Sequence, residues 1–204
     1  MLFFAHFFSL CAPKTVFTMK RIAILASGEG TNAERIIRYF ADKLSVKISV
    51  VITNKSEAGV IHRAKNLQIP VEILPASAFK EGKATETLRH YQTDFVVLAG
   101  FLLRIPDDML KEYPKQIINI HPSLLPKFGG KGMFGNHVHE AVLTAGEKES
   151  GITIHYIDEH YDNGDIILQV KCPVLPDDTP DSLASRIHQL EYEHYPKVIE
   201  QLLI

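Results

Sequence analysis

The sequence predicts an α/β chain: a mostly parallel sheet with helices on both faces and an antiparallel C-terminal extension. Three observations predict it. Short apolar runs without polar alternation recur between helix-like segments, as in strands buried on both faces. A glycine-bearing turn follows the first run and opens a helix. The last two strand-like runs alternate more, as antiparallel strands with one open face do.

Taken in order, Arg21 to Ser27 (RIAILAS) is the first strand, followed by Gly28-Glu29-Gly30-Thr31-Asn32 and an amphipathic helix over 33–41. Val46 to Thr53 is a second strand and Glu57 to Leu67 a second helix. Pro70 to Leu74 gives a third strand, and Lys80 to Tyr91 a third helix. Phe95 to Phe101 (FVVLAGF) is a fourth strand and Ile117 to Ile120 a fifth, stopped at once by Pro122. Gly151 to Ile157 and Asp165 to Val174 form the antiparallel extension. Pro180 to Leu203 closes the chain as one helix, with Thr179 as N-cap before a proline in the first turn. This order describes a Rossmann-like architecture.

A chain of 204 residues, 46% hydrophobic, can bury one good core and favours one domain, at most two. A net charge of -2 gives no reason to expect nucleic acid or a charged membrane surface; small anions would need a local site. The two cysteines, Cys11 and Cys172, lack metal-type spacing, which fits a reducing, cytoplasmic compartment without a disulfide framework. Met1 to Thr18 does not match the rest: it is Phe-rich and aperiodic, with no basic residue before its apolar run. That run is too short to span a bilayer, and a secretory signal normally begins with positive charge. Met19-Lys20-Arg21 reads as the natural start. The extension before it is expected to be a disordered tail or an upstream-start artefact, with a signal peptide as the alternative.

Three segments carry chemistry. At the end of the fifth strand, Asn119 and His121 share a face, because side chains alternate along a strand. An amide that donates to developing negative charge would stand beside an imidazole able to move a proton near neutral pH. The plainer alternative is a strand ending in two satisfied polar residues. The glycine turn, with Ala33 in the third place, resembles a dinucleotide fingerprint, but strand two ends Ile52-Thr53-Asn54-Lys55 without the acid that ribose hydroxyls want. A single phosphate held by backbone N–H groups, Thr31 and Asn32 is the more economical ligand, and an empty tight turn the bland one.

The third segment, His155 to Asp165, packs four acids and two histidines into eleven residues. Asp162-Asn163-Gly164 is turn chemistry, so an acidic surface turn is one reading. In the other, a carboxylate from this loop approaches His121 and favours its imidazolium, raising the histidine's pKa. His137 and His139 could join these acids around a metal, but two residues apart on a helix they do not share a face. Lys127 to Asn136, with four glycines, is expected to be a mobile loop beside the site.

SGEGTN after strand one, AGFLLRIP (Ala99 to Pro106), NIHPSLLP (Asn119 to Pro126) and DNGDIILQ (Asp162 to Gln169) occur in that order. Together they resemble the phosphoribosylglycinamide formyltransferases, over Met19 to Ile204, as a single formyltransferase domain. The resemblance implies formyl transfer from 10-formyltetrahydrofolate, a co-substrate, to 5-phosphoribosylglycinamide in purine synthesis, without metal. It implies His121 as the catalytic acid, Asn119 as its partner at the formyl oxygen and Asp162 as the carboxylate that raises the histidine's pKa. It assigns the ribotide to Gly30, Thr31, Asn32 and Glu191. It assigns the folate to Leu102, Leu103, Arg104, Ile105, Asn119 and Asp158. Two departures stand out: Gly82 with Lys83 where many relatives carry a basic folate contact, and a longer loop over Phe128 to Asn136. The expected partners are small-molecule substrates, with a monomer or homodimer and neither nucleic acid nor membrane. The core alone does not dictate the acceptor, so a sugar-nucleotide formyltransferase and a silent folate- or nucleotide-binding module are the rivals. Methionyl-tRNA formyltransferases and formyltetrahydrofolate deformylases carry extra domains that this length does not supply.

Overall fold

Alternate residues of the first strand part to opposite sides of the sheet: Ile22, Ile24 and Ala26 join one core, Ala23 and Leu25 the other. A strand buried this way needs cover on both faces, and the helices supply it. The computed structural model describes residues 19–203; the expectations for Met1 to Thr18 lie outside them. Its elements are β1 (Lys20–Leu25), α1 (Thr31–Phe40), β2 (Val46–Thr53), α2 (Gly59–Asn66), β3 (Val71–Ile73), α3 (Ala76–Lys80) and α4 (Lys83–His90). Then come β4 (Phe95–Leu98), α5 (Asp107–Glu112), β5 (Ile117–His121), α6 (Asn136–Thr144), β6 (Glu149–Tyr156), β7 (Ile166–Pro173) and α7 (Pro180–Leu203).

The seven strands run in the order β3-β2-β1-β4-β5-β6-β7. β1 to β5 pair in parallel, and β6 and β7 add antiparallel strands at one side. Residues of α1, α2, α6 and α7 pack into the first core and residues of α3, α4 and α5 into the second. From β1 the chain winds outward to β3, then returns to start β4 on β1's other side. The crevice at the carboxyl ends of β1 and β4 is the switch point where such sheets bind ligands.

Three local readings differ. The expected third helix, Lys80 to Tyr91, starts only at Lys83 as α4, because Gly82 takes φ 78°, and an unexpected short helix, α3, precedes it. The fourth strand ends at Leu98, ahead of Gly100 at φ 73°, so the AGF segment turns over the crevice. α5 has six residues, too few for a visible helical period, and its sequence sign is Pro106 ahead of Asp107 and Asp108 in the first turn.

The last helix begins as its sequence requires. The Ser182 N–H donates to Thr179 Oγ1 at 3.2 Å, and the Thr179 N–H donates to Ser182 Oγ at 2.9 Å, a reciprocal cap. Further along, the buried Tyr195 hydroxyl lies 2.9 Å from the Leu98 carbonyl and 3.2 Å from that of Ile118. That contact pins α7 to the end of β4 and the start of β5, the strands that deliver the site. No described helix is long and apolar enough to cross a membrane.

Candidate active site

The antiparallel register of β5 and β6 sets Asn119 opposite His155 and His121 opposite Thr153. Asn119 Nδ2 lies 3.2 Å from Nε2 of His155. The other ring nitrogen of His155, Nδ1, is 2.9 Å from the Tyr156 carbonyl. A carbonyl only accepts, so Nδ1 carries the proton and Nε2 takes an N–H from Asn119. Burial pushes the His155 imidazole below its ordinary range, keeping it neutral in that role. One N–H of Asn119 is thereby fixed, and the other is free to donate.

His121 is only 3% exposed. Its Nε2 is 2.8 Å from the Phe128 carbonyl, and its Nδ1 is 3.6 Å from Oδ2 of Asp162. The second distance is too long for a direct hydrogen bond and within ion-pairing range. Oδ2 also accepts the Gly130 N–H at 2.8 Å, and Oδ1 lies 3.7 Å from His155 Nε2. Asp162 reaches this position from a left-handed backbone, φ 52°, which a short polar side chain tolerates. The turn closes through Gly164, where a Cβ would stand 1.9 Å from the Tyr156 carbonyl. The third segment therefore brings Asp162, not an exposed acid, to His121.

At the other end of the crevice, Gly30 takes φ 75°, and a Cβ there would fall 2.4 Å from Val60 Cβ. Only glycine allows the loop to pass α2 and open α1 with free backbone N–H groups. Asn32 Nδ2 donates to Glu191 Oε2 at 2.9 Å, and His188 Nδ1 lies 2.9 Å from the same oxygen. Glu191 is buried, and its hydrogen bond lifts His188 above the usual histidine range. On the far side of the loop, Ser27 donates to Asn54 Oδ1 at 2.6 Å and accepts the Leu102 N–H at 3.0 Å. Asn54 holds the region where a dinucleotide site wants an acid.

One cleft of about 790 Å³ joins these parts. Gly30, Thr31, Asn32, Leu102, Asn119, His121, Asp162 and Glu191 all line it, beside the apolar surfaces of Phe101, Met133 and Phe134. The glycine-rich segment over 130–136 forms its outer wall. Leu103, Arg104, Ile105 and Asp158 do not line it. Ile105 is core and Leu103 packs against that core. Arg104 bonds Asp107 at 2.8 Å and the Glu159 carbonyl at 3.3 Å, joining the two loops that flank the cleft. Asp158 caps its own loop, accepting the His160 N–H and Asn163 Nδ2. Gly82 and Lys83 lie away from the cleft, with Lys83 paired to Glu81.

Sequence reasoning did not mention His188, considered His139 only as a metal ligand, and counted His155 only as a member of the acidic segment. His155 has strand parity with Thr153, a signal that becomes useful only once the register to β5 is known. His139 is 1% exposed, and its Nδ1 has no partner. His137, two residues before it on α6, is exposed beside Glu140, so the pair does point apart. Among the described residues, no three His, Cys, Asp or Glu side chains are grouped as a metal site requires.

The model of the formyl transferase family matches residues 20–199. The chloroplastic phosphoribosylglycinamide formyltransferase of Vigna unguiculata is 44% identical over 191 residues, covering 90% of this chain and 61% of that one. The chain thus spans less than two thirds of that plant relative. The phosphoribosylglycinamide formyltransferase of Bacillus subtilis is 38% identical over 192 residues, covering 91% of this chain and 95% of that one. The crystal structure of phosphoribosylglycinamide formyltransferase from Anaplasma phagocytophilum superposes with a TM-score of 0.83 at 38% identity. It covers 91% of this chain and 88% of that one.

Proposed function

The chain belongs to the formyl transferase family, and on that premise we propose that it transfers the formyl group of 10-formyltetrahydrofolate to the amine of 5-phosphoribosylglycinamide in de novo purine synthesis. The observation that carries this reading is one cleft with an amide–imidazole–carboxylate set at one end and a glycine loop at the other. The first suits formyl transfer. The second suits a phosphate-bearing acceptor.

In this reaction the glycinamide nitrogen attacks the formyl carbon, and the carbonyl electrons move to oxygen. The free N–H of Asn119 and the Nε2–H of His121 donate to that oxygen, which takes the place of the Phe128 carbonyl on His121. Collapse breaks the bond to N10 of the folate. The proton lost by the amine is balanced by the one N10 gains, relayed by His121 with Asp162 countering the imidazolium charge. Losing one such donor typically costs about 100- to 1000-fold in rate, roughly 2.7–4 kcal/mol.

The ribotide phosphate takes the backbone N–H groups of Gly30, Thr31 and Asn32 and the side chains of the last two, with Glu191 toward the glycinamide end. Leu102 lines the folate end of the cleft; Leu103 to Ile105 and the loop bearing Asp158 back it, and the bond from Arg104 to the Glu159 carbonyl holds the two segments together. The enzyme works on small molecules, as monomer or homodimer, in a reducing cytoplasm that suits the buried free thiol of Cys172. A spectrophotometric assay with 10-formyl-5,8-dideazafolate tests the acceptor. Turnover should require the ribotide; turnover with an amino sugar nucleotide and none with the ribotide would replace this reading with the rival.

A further inference from the structure

A second, smaller pocket of about 280 Å³ lies beside the glycine loop, lined by Thr31, Glu34, Arg35, Arg38, Arg63 and Tyr192. It shares Thr31 and Tyr192 with the main cleft. Three guanidiniums and one carboxylate line it, and the carboxylate is committed to two of the three. Glu34 Oε1 accepts Arg38 Nε and Nη2 at 3.0 and 2.8 Å, while Oε2 pairs with Arg63 Nη1. Arg63 Nε is turned to the Glu29 carbonyl at 2.8 Å. These bonds hold the Glu34 carboxyl below its usual range, Arg38 first and Arg63 next. Arg35 pairs with no carboxylate among the described residues; its guanidinium stands 5.3 Å from the centre of the Tyr192 ring. Tyr192 in turn stacks on His188, their rings 6.0 Å apart and 13° from parallel.

Three cations less one anion leave the lining with an excess of two positive charges. Arg38 and Arg63 have spare N–H groups after serving Glu34, and Arg35 has all of its own. Fork-shaped donors of this kind match the oxygens of a phosphate group. A pocket serving only as a helix-to-helix salt bridge would need Arg38 and Arg63, but not Arg35.

We propose that this pocket is a second anion subsite, separate from the phosphate position at the glycine loop, and that it takes a phosphate monoester or free phosphate. That the glycine loop holds the ribotide phosphate rests on the proposed function; the position and chemistry of the arginine pocket do not. Two phosphate groups on either side of Thr31 repel, so an occupied arginine pocket weakens ribotide binding without touching the formyl-transfer residues.

The test is a calorimetric titration of the full chain with inorganic phosphate, and in parallel with ribose 5-phosphate, at constant ionic strength. The Nε–H signals of its arginines are followed by NMR. Two phosphates should bind per chain. Arg35→Gln should weaken one of them roughly tenfold and leave the other unchanged, and Arg35→Lys should fall between. Binding of ribose 5-phosphate but not phosphate at the pocket identifies an ester site, and equal binding a free-phosphate site. A single phosphate unaffected by Arg35→Gln, or arginine signals that stay still at saturation, overturns the proposal. Neither readout depends on formyl transfer, so a wrong acceptor assignment would leave this result standing.

Discussion

The Asp162 carboxylate stands 3.6 Å from Nδ1 of His121 on one oxygen and 3.7 Å from His155 on the other. It also receives the Gly130 N–H, so one side chain ties the wall of the cleft to His121 and stands beside the bare Nε2 of His155. Asp162→Asn keeps the shape and the contact surface but removes the charge. Turnover should fall about 100-fold or more with the melting temperature little changed, as expected when proton transfer loses its counter-charge. Steady-state kinetics beside a thermal melt checks this; unchanged kcat would remove Asp162 from the chemistry.

His155 positions Asn119 without needing to touch substrate, because its bare Nε2 accepts one N–H of the amide. His155→Phe keeps an aromatic ring of similar bulk and removes that acceptor. We expect kcat to drop roughly tenfold to a hundredfold with the ribotide KM nearly constant, in line with a misaimed oxyanion donor. A KM change with constant kcat would instead mark His155 as a binding residue.

Fold and site differ in how far the sequence reveals them. The strands are plain in runs such as VKISVVIT, whose β2 boundaries agree to the residue, because buried strands need continuous apolar residues. Asn119 and His121 are legible for the same reason, being two polar side chains on one face of such a strand. Asp162 is legible through its turn chemistry. His139, His155 and His188 are not, because their roles depend on cross-strand register and on packing between α6 and α7. The break at Gly82 is hidden too: the helical pattern continues across it, and only the left-handed backbone divides α3 from α4.

His188 should make ribotide binding pH-dependent. Glu191 raises its pKa, so the imidazolium persists above the ordinary histidine range of about 6.5 and is lost as pH rises through the raised value. The ribotide KM should climb over that interval, and His188→Gln should flatten the profile. A KM that rises equally in the variant would place the titrating group elsewhere. Thr31→Ala should raise the same KM at all pH values.

Burial lowers the folded pKa of His139 as it does that of His155. The unfolded chain then binds more protons below about pH 6.5, so stability falls as pH drops through that value. His139→Met removes one of the two groups and should shallow the decline of Tm between about pH 7.5 and 5.5. An unchanged slope would show that His139 does not drive it.

The start of α7 is clasped by Asp178, 3% exposed, which pairs with Arg186 at 2.7 Å and accepts the Leu175 N–H and the Ser182 hydroxyl. Its carboxyl is held far below the usual range, chiefly by Arg186. The clasp is therefore complete above the ordinary carboxylate range and weakens only as pH falls through and below it. Asp178→Ala should cost about 1–2 kcal/mol, lowering Tm by about 3–6 °C. Activity at low temperature should be retained, and a Tm within a degree of the parent's would contradict the clasp.

The central claim is that His121 donates to the formyl oxygen. Its most direct test is kcat of His121→Ala at saturating ribotide and folate analogue, with circular dichroism and a melt on the same sample. A loss of about 100-fold or more in a folded protein that still binds both ligands is the expected result. Near-normal turnover in the folded variant would contradict it.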